Sequence, residues 1–274
     1  MGSMFFMGYG LLILALVPAV GHSQAIDDQS DGLRALCPDR PAKGTSPCTL
    51  DPGHFQIETG AVDITRQRDA GITMRQTSIS STTLKFGMNR NADIEISVNP
   101  WLRSSQTGQR PTEGLGDTLL RAKVNIANQD GDGKWAIAVA PFIKIPTARH
   151  GLGNGKVEVG VVVPTTRALP GNMSLAFSPE IDVNENADQS GRHLNIIDVM
   201  GLNWPLSETI TATIEAWTDT DIDPQGTTTR ASIDLAMAWI PKTNRQIQWD
   251  GGLNFGLNRQ TPDEEVYFGI SRRF

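Results

Sequence analysis

The sequence predicts an all-β protein: a closed antiparallel transmembrane β-barrel of about twelve strands over residues 54–274. Three observations predict it. Segments of roughly ten residues alternate apolar and polar side chains, the period of a strand with two different faces. Clusters of Gly, Pro, Asn and Asp separate them and read as turns, with no convincing amphipathic helix between. Strands of about ten residues are long enough to cross a bilayer when tilted, and closure leaves no unpaired edge in lipid.

The 274-residue chain carries a formal net charge of -6, 39% hydrophobic residues and a mean hydropathy of -0.25. These averages exclude a polytopic helical membrane protein, because each crossing needs about 20 consecutive apolar residues. They argue against a nucleic-acid partner, since an acidic chain with no basic run offers phosphate no electrostatic footprint. They also exclude a disordered chain.

The first element is a targeting segment. Residues 1–25 carry no Lys, Arg, Asp or Glu, and Leu11 to Val20 (LLILALVPAV) is the only long apolar run. Ser23-Gln24-Ala25 places small residues where a signal peptidase cleaves, although the n-region lacks a basic residue. The run is too short, and too soon broken by Pro18, for an anchor. Residues 26–53 follow as a periplasmic N-terminal segment, too polar to span and expected to hang below the barrel rather than plug it. Its LCPDRPAKGTSPC stretch holds Cys37 and Cys48, expected to form a local disulfide in an oxidising compartment.

The strands read as 54–64, 76–88, 92–105, 117–127, 134–146, 156–167, 173–184, 193–204, 209–219, 229–240, 246–257 and 264–274. In the third, Ile94, Ile96, Val98 and Leu102 oppose Asp93, Glu95, Ser97 and Asn99. The fourth sets Leu120, Ala122, Val124 and Ile126 against Arg121, Lys123 and Asn125. The sixth sets Val157, Val159, Val161 and Val163 against Lys156, Glu158 and Gly160, and the eleventh sets Ile247, Trp249, Leu253, Phe255 and Leu257 against Gln248, Asp250, Gly252 and Asn254. Short links such as Asn89-Arg90-Asn91 and Pro205-Leu206-Ser207 alternate with longer ones at 108–116, 147–155, 185–192 and 221–228. Short turns at one end and longer loops at the other are the habit of outer-membrane barrels. The last strand, EEVYFGISRRF, ends on Phe274 and resembles the signal read by the barrel assembly machinery, with Arg272 interrupting its apolar row. The competing architecture is a secreted β-sandwich, which alternates with the same period.

CPDRPAKGTSPCTLDPGHFQIET, the GLGD at 114–117, APFIKIPT at 140–147 and the C-terminal FGISRRF together resemble the family described as putative MetA-pathway of phenol degradation. The similarity runs from Cys37 to Phe274. It implies an outer-membrane barrel of a Gram-negative bacterium that transports small molecules, including aromatic or other hydrophobic compounds. It transfers no catalytic residues.

Strand parity supplies the candidate site. It points Glu58, Lys85, Glu95, Arg121, Lys123, Lys144, Glu158, Glu180, Asp182, Glu215, Arg230 and Asp234 inward as channel-lining residues, with Arg103, Asp93, Asp250, Glu265 and Arg273 beside them. The expectation is a transverse field, with a basic wall on the fourth and fifth strands facing acidic walls. The alternative is a closed interior filled by ion pairs, in a barrel that binds or braces without transport. An enzyme is not expected: His54, His150 and His193 have no nucleophile at useful spacing, and no phosphate loop or zinc-helix motif occurs, so neither cofactor nor metal is called for. The expected partners are a small-molecule solute, outer-membrane lipid and the barrel assembly machinery.

Overall fold

The structure, a computed structural model, describes residues 32–128 and 134–274. The targeting segment expected at 1–25 lies outside the described residues. Sixteen β-segments form one sheet: β1 (Phe55–Asp69), β2 (Ile72–Asn89), β3 (Ala92–Val98), β4 (Trp101–Gln106), β5 (Thr112–Gly114), β6 (Thr118–Ala127), β7 (Trp135–Ile145), β8 (Glu158–Val162), β9 (Thr165–Ala168), β10 (Ser174–Phe177), β11 (Glu180–Glu185), β12 (Arg192–Pro205), β13 (Ile210–Asp223), β14 (Gly226–Trp239), β15 (Ile247–Gly256) and β16 (Glu264–Arg273). Four pairs of segments, β3 with β4, β5 with β6, β8 with β9 and β10 with β11, are each one stave of the barrel interrupted once. Sixteen segments therefore make twelve staves, all antiparallel. β1 pairs with both β2 and β16, which closes the ring.

Three of the interruptions fall at proline: Asn99-Pro100, Val163-Pro164 and Ser178-Pro179. Proline has no N–H to give the ladder, so the pairing stops and restarts there. The first break resets strand parity. Leu102, expected on the outer face with Val98, is buried inside, paired with the inward Ser78. Arg103 is turned out of the lumen and pairs with Glu113 at 3.4 Å.

The expected loop at 221–228 is a correction of another kind. β13 and β14 stay paired to Asp223 and Gly226 and turn on two residues, and β1 and β2 likewise run on to Asp69 and Ile72. Thr-rich polar strands continue past the apolar band there, so the stretch is strand rather than loop.

Outside, the barrel is a band of Ile, Leu, Val, Met and Phe, including Ile94, Ile96, Val124, Ile143, Ile181, Leu235, Leu253 and Val266. Phe55, Trp135, Trp204, Trp239, Trp249 and Phe274 are exposed at the end where the strands begin and finish. Aromatic rings favour the membrane–water interface, so this end carries the stronger girdle. Among the described residues no helix is long and apolar enough to cross a membrane; the crossing elements are strands.

Candidate functional site

The inner face is polar, and a second piece of chain lies against it. Cys37 and Cys48 are bonded, as expected, and the loop they close does not hang below the barrel. It rises into the lumen from the end where β1 begins. The physical reason is charge: the loop carries both signs, and each finds its opposite on the inward face, where ions buried by the loop must be paired.

Asp39 accepts from Lys85 Nζ at 2.6 Å and Lys123 Nζ at 3.0 Å. Lys85 also meets Glu58, and Lys123 meets Glu95 at 2.9 Å; the side chains of Lys85, Glu58, Lys123 and Glu95 are all at most 3% exposed. The backbone N–H groups of Asp39 and Arg40 donate to the Glu58 carboxylate at 3.1 and 3.2 Å. Burial alone would raise the Asp39 pKa, but Lys123, Lys85 and Arg121 outweigh it and hold the carboxyl well below the usual range.

The loop then crosses to other staves. Arg40 Nη2 donates to Asp250 at 2.8 Å, lying where the paired Gly60 and Gly269 leave a slot without Cβ atoms. The Lys43 N–H donates to Glu215 at 2.9 Å, its ammonium to Ser232 Oγ at 3.1 Å, and the same ammonium stands 3.5 Å from Asp234 and 3.6 Å from Glu265. Thr45 N–H donates to Ser178 Oγ, and Asn125 donates to the Pro47 carbonyl. The return to β1 is pinned by Leu50 N–H on Asp93, by Arg273 on Asp51 at 2.9 Å, and by close passage over Gly87, where a Cβ would lie 2.0 Å from the Asp51 carbonyl oxygen.

Six of the twelve expected lining residues point inward and are buried against this loop, Glu58, Lys85, Lys123, Glu215 and Asp234 by direct contact and Glu95 through both lysines. The other six stand beyond it. Arg121 reaches Glu95 at 3.4 Å and lies over the Phe142 ring at 5.8 Å. Lys144 bonds Glu158 and stands 3.6 Å from Asp117, and Arg230 bonds Asp219 at 2.7 Å. Glu180 and Asp182 share β11, in register with Ile197 and Asn195. The juxtaposition of Glu95 with Arg121 and of Lys144 with Glu158 follows the expected strand order.

Sequence reasoning missed Asp39, Arg40 and Lys43, the residues that fill the lumen. Trp217 faces inward beside them, its ring 4.4 Å from Lys43 Nζ. A signal was present: parity alone put more carboxylates than cations on the inner face of the last four strands, so a source of positive charge was owed. His193 is 5% exposed at its side chain and sits between Asp221 at 2.7 Å and Asp223 at 3.3 Å.

The comparisons agree with this architecture. No curated protein sequence matches the chain. Among solved structures it is similar to a COG4313 outer membrane channel from Pseudomonas putida F1, with 12% identity, 85% of this chain and 100% of that chain covered, and a TM-score of 0.65. It is also similar to the translocator domain of autotransporter NalP from Neisseria meningitidis, with 14% identity, 81% and 88% covered, and a TM-score of 0.49. The first likeness confirms the fold of an outer-membrane barrel. The model of one family matches residues 38–274, from within the luminal loop to the last residue, and the chain belongs to that family, described as putative MetA-pathway of phenol degradation.

Proposed function

We propose that the protein is an outer-membrane channel for small molecules whose strand-terminus half is closed by residues 33–53. The observation that carries this is the manner of closure. The loop is held by ion pairs and hydrogen bonds to a polar wall, contacts that water replaces when the loop leaves. A polar wall covered by a separable segment, rather than by side chains of the strands alone, leaves a path when that segment moves.

In this reading Arg121, Lys144, Glu158, Glu180, Asp182 and Arg230 line the open half and set selectivity, with Arg121 and Lys144 on one wall and Glu180 and Asp182 on the next. Phe142 adds an apolar ring between Arg121 and the acidic side. The family's description supports small aromatic compounds as solutes. The strand-terminus end faces the periplasm, as in barrels of this class; Phe274 serves the assembly machinery, and the outer band meets lipid.

The test is swelling of proteoliposomes in small solutes, with the ion selectivity of Arg121→Gln recorded in planar bilayers. Solute-dependent swelling and a shift toward cation selectivity are expected. Unchanged selectivity would remove Arg121 from the selectivity wall. The second reading, a closed binding or bracing barrel, is favoured by the buried cluster of Lys85, Lys123, Glu58, Glu95 and Asp39, and predicts no swelling.

A further inference from the structure

The Lys43 ammonium sits among more acceptors than it meets at close range. Glu215, Asp234, Asn254 and Glu265 stand in one register row across β13 to β16, and Trp217 and Ser232 form the neighbouring pair. The Lys43 ammonium enters this cage over the Trp217 face at 4.4 Å. Its one side-chain hydrogen bond is to Ser232, while the carboxylates stay at 3.5 and 3.6 Å. Charge-assisted contacts close to about 2.7–2.9 Å when geometry allows. Asp234 is 1% exposed, its Oδ2 meets the Lys43 ammonium only in the 3.5 Å ion pair, and its Oδ1 and Asn254 Oδ1 have no hydrogen-bond partner in good geometry. The cage thus offers more acceptors than its present occupant uses.

We infer that this cage is a binding site for an organic ammonium ion, that Lys43 is its built-in surrogate, and that a free amine entering the lumen displaces Lys43 and loosens the closure. An ammonium over an aromatic face and against a desolvated carboxylate gains from both. A chain-tethered lysine reaches the cage only from the loop, whereas a free alkyl- or arylammonium orients all its N–H groups toward Asp234, Glu265 and Ser232, with any ring lying against Trp217. Binding only to the displaced-lysine form shifts the loop equilibrium by mass action.

The displacement step rests on the proposed closure; the cage itself does not. The probe is benzylamine, with benzyl alcohol as its uncharged counterpart, titrated by calorimetry into the purified full barrel. Lys43→Met vacates the cage, and benzylamine is expected to bind it at least tenfold more tightly than the wild type. Asp234→Asn in the Lys43→Met background is expected to abolish that binding. Equal affinity of the wild type and Lys43→Met, or equal binding of amine and alcohol, overturns the inference. If Lys43→Met does not fold into a heat-modifiable barrel, the wild type decides: benzylamine must speed its swelling in arabinose where benzyl alcohol does not, and equal rates overturn the inference. Amine binding without swelling in any solute breaks the channel reading alone; swelling without amine-specific binding breaks this inference alone.

Discussion

Lys123 and Asp234 stand on opposite walls, on the fourth and tenth of twelve staves, and the five residues from Asp39 to Lys43 join them across the lumen. Asp39 takes the basic wall and Lys43 the acidic one. The transverse arrangement of charge therefore acts first as a lock for the chain's own loop.

Asp39→Asn removes the carboxylate shared by Lys85 and Lys123 and leaves two buried ammonium groups with Glu58 and Glu95 alone. Breaking a buried pair on one side costs about 3–5 kcal/mol. The cost falls on the seated loop, because the barrel ladders are untouched. Heat-modifiable mobility is expected to persist while proteolysis of the loop and channel conductance both rise. Unaltered conductance with intact folding would show that the loop does not block the path.

The acid response of Asp39 follows from the depression of its carboxyl below the ordinary value of 3.8. A group depressed in the folded state contributes stability that is fully present above the unfolded value and is lost as pH falls toward the folded one. The loop is therefore expected to stay seated from pH 7 down to about pH 4 as far as Asp39 is concerned. Swelling rates compared across that range for the wild type and Asp39→Asn check it; an opening in the wild type near pH 5 that Asp39→Asn abolishes would contradict it.

The Cys37–Cys48 bond encloses Asp39, Arg40, Lys43 and Thr45, the anchors that reach the wall. Closing a loop of this size restricts the unseated state by about 3 kcal/mol in the chain-entropy treatment. Reduction, or Cys37→Ser with Cys48→Ser, is expected to lengthen the open dwell times in single-channel records without changing the open conductance. A change in conductance alone would mean that the bond shapes the pore instead.

Gly87→Ala places a methyl group against the Asp51 carbonyl, a backbone atom that cannot swing aside. Overpacking of this kind costs about 1–3 kcal/mol. The expected result is a loop loosened at its β1 end, seen as faster exchange of the backbone N–H of Leu50, whose acceptor is Asp93. Unchanged protection at Leu50 would place the strain in β2 instead.

The barrel was legible because alternation reports two faces, and all twelve staves appear where the period placed them, within the ends of the segments. The misplacements have local causes. Pro100 reset the parity of Leu102 and Arg103, and Thr-rich extensions of β13 and β14 looked like loop. The site was half legible. Parity turned Lys85, Lys123, Glu215 and Asp234 inward, but no pattern within residues 26–53 says where that segment sits. Its position depends on long-range pairs such as Arg40 with Asp250, 210 residues apart. Only the imbalance of inward charge on the last strands pointed to it.

The most direct test of the account is proteoliposome swelling of the wild type against Asp39→Asn combined with Arg40→Gln, which removes the loop's ion pairs to both Lys123 and Asp250. Solute-dependent swelling is expected in the wild type and a several-fold faster rate in the double variant, with both proteins heat-modifiable. Equal rates would contradict the closure, and no swelling of either protein in any small solute would contradict the channel.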